Sequence, residues 1–254
     1  MSSPFVDQVV LITGASSGIG RSLAHRLARD GARVIGTGRD QEALATLAPE
    51  VALALTMDVT DPTSVEFATR TALDAFGRVD VLINNAGIGL FRDWQATEVA
   101  DIERLMEVNL YGAVRVTRAL LPGMVERGAG LITNIASVSG KRGYALHTAY
   151  CATKFGLIGW SEALRAELTG TGVDLVIACP PAVDTPFFAR AGAPERGKRG
   201  FGRGVAEVGW TADAIVDAMV ARKPLAILGA RARLLYTLSR LSPGALAGLQ
   251  RLKR

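Results

Sequence analysis

Tyr150 and Lys154 stand four residues apart in the stretch Tyr150-Cys151-Ala152-Thr153-Lys154. On a helix that spacing puts both side chains on one face, a turn apart. A free phenol, with a pKa of about 10, is a poor acid or base near neutrality. A fixed ammonium beside it favours the phenolate, and the pair can then pass a proton to or from an alcohol oxygen. The same spacing also describes many solvated helix faces, so the pair takes its meaning from the residues upstream.

Residues 8–13 form a short run rich in Val and Ile that reads as a buried strand. Gly14-Ala15-Ser16-Ser17-Gly18-Ile19-Gly20 follows, and then a helical pattern with Leu23, Leu27 and Ala28 inward. Glycines let backbone approach a pyrophosphate, and a helix N-terminus offers unpaired N–H groups and a partial positive charge. Ser16 and Ser17 can add hydroxyl donors. A glycine-rich turn alone would look similar, but strand, loop and helix in this order favour a dinucleotide. The second strand, 33–37, ends in Thr37-Gly38-Arg39, with an acid only at Asp40. An acidic residue there holds the ribose 2′-OH of NAD, whereas an Arg suits a 2′-phosphate. The expected cofactor is therefore NADP(H); NAD(H) is the alternative if Arg39 is only a solvated loop charge.

Further strands are expected at 51–57, 79–83, 130–135, 173–179 and 225–228, and helices at 41–47, 65–76, 99–125, 147–168 and 211–221. Asp61 followed by Pro62 marks a helix start. Apolar strands alternating with amphipathic helices predict one Rossmann-type doubly wound parallel sheet with helices on both faces. This α/β unit spans residues 1–229, and a basic tail covers 230–254. Gly14, Asp58, Asn85, Ser137 and Pro180 each follow a predicted strand, where such sheets bind ligands. The loose segment 184–210 reads as a lid. Its Phe187 and Phe188 either meet a lipophilic substrate or simply pack, and the residues leave both readings open.

Taken in order, Thr13-Gly14-Ala15-Ser16-Ser17-Gly18-Ile19-Gly20, Asn84-Asn85-Ala86-Gly87, Asn109, Ser137 and Tyr150-Cys151-Ala152-Thr153-Lys154 resemble the classical short-chain dehydrogenases/reductases over about residues 6–187. The resemblance implies an enzyme moving a hydride between NADP(H) and a secondary alcohol/ketone or alcohol/aldehyde pair. It implies Tyr150 as general acid/base and Lys154 as the group that lowers its pKa and holds the nicotinamide ribose. Ser137 would polarise the substrate oxygen. Asn109 would interrupt its helix and anchor a water linking Lys154 to solvent. Asp58 and Val59 would flank the adenine. Asn85, Ala86 and Gly87 would line the cofactor, and Pro180, Val183 and Thr185 would contact the nicotinamide end. A homodimer or homotetramer is also implied. The chemistry is coherent without the family: the cofactor carries the hydride, so the protein orients it and manages one proton. Ser137 and Tyr150 are donors aimed at a carbonyl oxygen where charge develops. Taken singly, Ser137 could be a turn cap, Asn109 a satisfied buried amide and Asn84-Asn85 a turn. A non-catalytic dinucleotide sensor is the alternative of a different class, and the presence of all four reactive side chains argues for the enzyme.

The pattern has departures. Pro180-Pro181 stands where the family reads Pro-Gly, which stiffens the backbone there, and Asn134-Ile135-Ala136-Ser137 keeps the reactive Ser but not its usual neighbour. The chain ends on Leu225-Ala226-Ile227-Leu228-Gly229 and a basic tail instead of the family's paired-glycine strand. Three residues, not six, between Tyr150 and Lys154 argue against the enoyl-reductase branch.

The net charge of +5 belongs to that tail, since 230–254 carries six basic residues and no acidic one. The rest of the chain is slightly negative, which argues against a nucleic-acid face. Two cysteines, Cys151 and Cys179, are too few for a disulfide framework or a metal cluster and suit a reducing cytoplasm. No leader or bilayer-spanning run is read from the chain. Leu234, Leu235, Leu238 and Leu241 recur at helical spacing, and Leu246, Leu249 and Leu252 resume the pattern after Ser242-Pro243-Gly244. Packing over the core or a subunit is preferred here to peripheral membrane contact. His147 reads as a solvated or helix-start residue near the site, Cys151 as buried filler, and Trp94, Trp160 and Trp210 as packing residues.

Overall fold

A computed structural model describes residues 3–192 and 205–241. At its centre lies β1 (Val9–Thr13), all five residues buried. On one side it pairs with β2 (Arg33–Gly38), which pairs with β3 (Leu53–Thr56). On the other side follow β4 (Val81–Asn84), β5 (Gly130–Ile135), β6 (Val173–Cys179) and β7 (Leu225–Ile227). Every pairing is parallel, and Val10 sits opposite both Val34 and Val81. Strand order reverses at β1/β4, and the crevice beyond their carboxyl ends is where such a sheet takes a ligand.

Both faces are covered, which is why the inner strands are nearly continuous runs of Val, Ile and Leu. Val10, Ile12, Val34 and Ile83 point to one core, under α1 (Gly18–Arg29), α2 (Gln41–Leu47) and a later helix, α8 (Val208–Val220). Val9, Leu11, Ile35 and Leu82 point to the other. That core lies under α3 (Pro62–Phe76), α5 (Gly112–Glu126) and α6 (Thr148–Glu167), with α4 (Val99–Met106) beside α6. Asp61 caps α3 by accepting from the Thr63 N–H at 2.9 Å, Pro62 occupies its first turn, and Gly77 ends it at φ +73°. Only a residue without a Cβ adopts that left-handed angle cheaply.

Differences from the sequence expectation have local causes. The helix expected over 99–125 is three pieces, with one π-helical turn (Glu107–Tyr111) between α4 and α5. Such turns mark places where a side chain is re-aimed, and Asn109 sits inside this one. Strand four begins at Val81 instead of 79, because the Val79 carbonyl accepts from Arg127 at 2.8 Å. The loose segment is shorter than 184–210: α7 (Phe187–Arg190) forms on its near side and α8 begins at Val208. The rest of the expected lid, 193–204, lies outside the described residues, as do Ser242-Pro243-Gly244 and the leucines beyond. Residues of the tail that are described form α9 (Ala230–Leu241). Among the described residues no helix is long and apolar enough to cross a membrane.

Four buried polar side chains tie β4 and β5 to the helices behind them. Asn84 donates to Thr117 on α5 at 3.0 Å and to Asn134 at 2.9 Å, and Asn134 donates to Ser161 on α6 at 2.7 Å. Removing one partner of a buried hydrogen bond exposes the full desolvation cost of the other. Asn134→Ala is therefore expected to lower unfolding stability by about 1–3 kcal/mol, as read by chemical denaturation. An unchanged midpoint would show that this network does not hold β5 to α6.

Candidate active site

The glycine loop is fixed to the end of β4 before any ligand arrives. The Thr13 hydroxyl accepts from the backbone N–H of both Asn85 (3.0 Å) and Ala86 (2.9 Å). The Asn85 amide donates back to the Thr13 carbonyl at 2.9 Å and the Gly14 carbonyl at 3.1 Å. Asn85 thus faces the loop it braces. Two loop glycines are required by this closeness. A Cβ at Gly14, whose φ is +67°, would lie 2.9 Å from Ala86 Cα, and one at Gly20 would collide with the Gly14 carbonyl and the Asn85 amide. Ile19 packs into the core below.

The first turn of α1 has no acidic residue, and its N-cap Ser17 makes no capping bond. Ser17 Oγ instead accepts from Arg190 of α7 at 3.3 Å. The loop therefore leaves an unshielded, positive helix terminus facing open space, the arrangement that suits a phosphate. At the end of β2, Asp40 is committed to capping α2 through the Ala43 N–H at 3.0 Å. Arg39 stays largely exposed, 3.8 Å from Asp58. Burial pushes the Asp58 carboxyl up, but hydrogen bonds from Thr60 and the Arg39 charge leave it below its ordinary value. Val59 is buried against Gly112, where a Cβ would lie 2.6 Å from Val59 Cγ2.

The second half of the site converges on α6. Tyr150 and Lys154 are both buried on one of its faces, with the Lys154 ammonium 5.8 Å from the centre of the phenol ring. Lys154 donates to the Ile135 carbonyl at 2.9 Å. Ser137 follows β5 and caps a short turn by accepting from the Ser139 N–H at 3.1 Å. That turn lies directly on α6, since a Cβ at Gly140 would be 2.6 Å from the Lys154 carbonyl oxygen. Asn109 uses its whole amide behind this group. It accepts from the Ile88 N–H at 2.8 Å, and donates to the Ile88 carbonyl at 2.9 Å and to Thr153 at 3.0 Å.

Burial dominates the electrostatics. It pushes the Tyr150 phenol well above its ordinary value, and the Ser137 hydroxyl pulls the other way only in part. The spacing with Lys154 suggests a lowered phenol pKa; the direction here is upward, from burial, and Ser137 is the group that favours the ionised form. The same burial brings Lys154 down to about 8. Neither cysteine is an activated thiol, since burial raises Cys151 and takes Cys179 up to about 12.

Of the catalytic and cofactor-binding candidates read from sequence, all but Gly20 and Asn109 line one cleft of about 1290 Å³. Those two support it from behind. Pro180 accepts from the Val138 N–H at 3.1 Å, Val183 pairs with Ala206, and Thr185 sits 3.3 Å from where a Gly18 Cβ would be. The far end of the cleft is aromatic. Phe91 lies 4.2 Å from the His147 ring, 5.8 Å from Tyr150, 6.0 Å from Phe187 and 5.6 Å from Phe188. Phe187 and Phe188 pack on each other, 5.7 Å between ring centres, and both line the cleft.

His147 stands at the start of α6, as one of its two readings has it, but it is buried and not solvated, and burial pushes its pKa down to about 4. Trp94 and Trp210 are not packing residues either, being 63% and 45% exposed. Phe91, Gly140 and Arg190 were not singled out. Phe91 follows the Asn84-Asn85-Ala86-Gly87 turn in a stretch with no periodicity. Gly140 had a signal, lying three residues after Ser137.

The residues fit a dinucleotide: the glycine cradle and bare helix terminus suit a pyrophosphate, and the cleft runs unbroken from there to Tyr150. A sequence profile described as short chain dehydrogenase matches residues 8–196. Over 179 residues the chain is 42% identical to the ketoacyl reductase HetN of Nostoc sp., covering 68% of this chain and 62% of that relative. It therefore spans less than two thirds of the relative's length. A short-chain dehydrogenase structure from Streptomyces avermitilis matches with a TM-score of 0.84 at 33% identity, covering 100% of this chain and 99% of that one. The 3-ketoacyl-(acyl-carrier-protein) reductase of Brucella melitensis, complexed with NADH, matches with a TM-score of 0.81 at 30% identity, covering 88% and 96%. The profile runs from the first strand past α7, over the same residues that bring Ser137, Tyr150 and Lys154 together, and the chain belongs to the short-chain dehydrogenase/reductase family.

Proposed function

We propose that this protein is an NADP(H)-dependent oxidoreductase that interconverts a secondary alcohol and a ketone, or an alcohol and an aldehyde. The observation that carries the reading is the buried cluster of Tyr150, Ser137 and Lys154 at one end of a cleft whose other end is the glycine cradle. When bound, the dinucleotide supplies or accepts the hydride. The rest is proton and charge management by the chain. Ser137 and Tyr150 direct hydroxyl donors at the substrate oxygen, where negative charge develops during reduction. Tyr150, held protonated by burial, gives its proton to that oxygen. Lys154 holds the ribose and keeps positive charge beside the phenolate that results. Asn109, through Ile88 and Thr153, fixes the wall behind Lys154 and anchors the relay to solvent. Pro180, Val183 and Thr185 border the nicotinamide end, while Asp58 and Val59 flank the adenine.

Arg39 supports the choice of NADP(H). Its guanidinium is exposed at the end of β2, and the neighbouring acid, Asp40, is occupied as a helix cap. NAD(H) is the second reading, favoured by the NADH complex of the 30%-identical Brucella reductase. The aromatic end of the cleft supports a lipophilic carbonyl substrate. Assembly as a homodimer or homotetramer in the cytoplasm completes the proposal.

Tyr150→Phe is expected to lower carbonyl reduction by about 10²–10⁴-fold with dinucleotide affinity nearly intact; retained turnover would remove Tyr150 as the proton donor. Arg39→Asp is expected to weaken NADPH binding by about 10- to 100-fold and NADH binding far less. An equal effect on both, measured by titration, would retire the 2′-phosphate assignment. Lys154 carries its proton below its depressed pKa and loses it above. Reduction, read as kcat/KM, should therefore hold near neutrality and decline as pH rises through about 8. A profile flat to the ordinary lysine range would show that the ammonium is not required.

A further inference from the structure

The helix α9 has two unlike sides. Ala232 and Tyr236, one turn apart, line the cleft, and Lys141 lies 6.0 Å from the Tyr236 ring. Leu234 and Leu238, also one turn apart, are offset from that pair by two residues, which on an α-helix is nearly the opposite side. They are 60% and 44% exposed. Two leucines of the stripe that the sequence suggested would pack on the core or a subunit, Leu234 and Leu238, instead face away from the core. Arg231 and Arg233 are exposed on the same helix, and Trp210, itself exposed, borders its start, with Gly229 beside the indole ring.

Charge narrows the occupant of this stripe. From 230 to 254 the chain carries six basic residues and no acidic one. A second copy docking through the same stripe would bring arginine against arginine across a two-fold axis. Three of the six basic residues, Arg251, Lys253 and Arg254, lie in the remainder of the tail and carry the same sign. An exposed leucine stripe flanked by arginines on a short helix is instead the pattern that lies in the plane of a lipid surface. A negative surface supplies the countercharge that this chain lacks there.

We propose that α9 docks this protein on an anionic membrane surface, with Leu234 and Leu238 in the headgroup boundary and the arginines on lipid phosphates. Because the opposite side of α9 is a wall of the cleft, docking holds the cleft one helix diameter, roughly 10 Å, from the bilayer, with α9 between them. The docking itself is independent of the catalytic reading.

The test is sedimentation of the full chain with vesicles of phosphatidylcholine containing phosphatidylglycerol, and with phosphatidylcholine alone, at low and high salt. The expected result is at least about tenfold stronger binding to the anionic vesicles, reduced by salt and abolished in Leu234→Asp/Leu238→Asp. Both leucines are exposed, so the variant should keep the wild-type circular dichroism and unfolding midpoint, which confirms that lost binding is not lost folding. Equal binding to both vesicle types, no binding, or unchanged binding by the folded variant would each overturn the proposal. So would a wild-type oligomer that the variant dissociates without either binding vesicles, because the stripe would then cover a second copy.

Discussion

The Lys154 ammonium is buried with only the Ile135 carbonyl beneath it, and among the described residues it makes no ion pair. A lone buried charge is among the least favourable groups a fold can carry, and its depressed pKa records that cost. Much of the surrounding architecture serves to hold it there. Gly140 lets the turn after β5 lie on the α6 backbone, and a Cβ at Gly87 would sit 3.7 Å from the ammonium and 3.3 Å from Asn109 Oδ1. The lysine and the tyrosine thus form one buried unit, the ammonium 5.8 Å from the ring centre, in which burial favours the uncharged form of each.

That unit is useful only if it stands at a fixed distance from the glycine cradle, and the sheet fixes it. Thr13 and Asn85 lock β1 to β4, Asn84 and Asn134 lock β4 to β5, and Ser161 locks β5 to α6. The chain of bonds runs from the glycine loop to the helix bearing Tyr150. Buried polar groups of this kind specify geometry more than they add stability. The aromatic wall built on Phe91 then packs against Tyr150, its ring centre 5.8 Å away, and helps to bury the phenol.

Much of this was legible in the sequence because it depends on local spacing. The glycines of the loop, Asp61-Pro62 and the Tyr150/Lys154 interval are read from neighbours in the chain. What escaped depends on partners far away in sequence. Phe91 is a wall residue only because α7 and His147 come to meet it, and Gly140 is needed only because α6 passes within van der Waals distance. Arg190 reaches Ser17 across 173 residues of chain. The sign of the Tyr150 shift escaped for the same reason: residue types suggested the lysine, but burial, a tertiary property, decided it. In α9 the leucine periodicity was plain, yet which side met the protein depended on where Tyr236 was placed.

The central claim is that burial keeps the Tyr150 phenol protonated until a ligand supplies compensating interactions. It is tested by following phenol ionisation in the ligand-free protein by ultraviolet difference spectroscopy, with Tyr150→Phe subtracted from wild type. The account predicts that the Tyr150 difference signal emerges only above the ordinary tyrosine range of about 10. A Tyr150-specific ionisation near neutral pH would contradict it and would show that the Lys154 charge, not desolvation, governs the site.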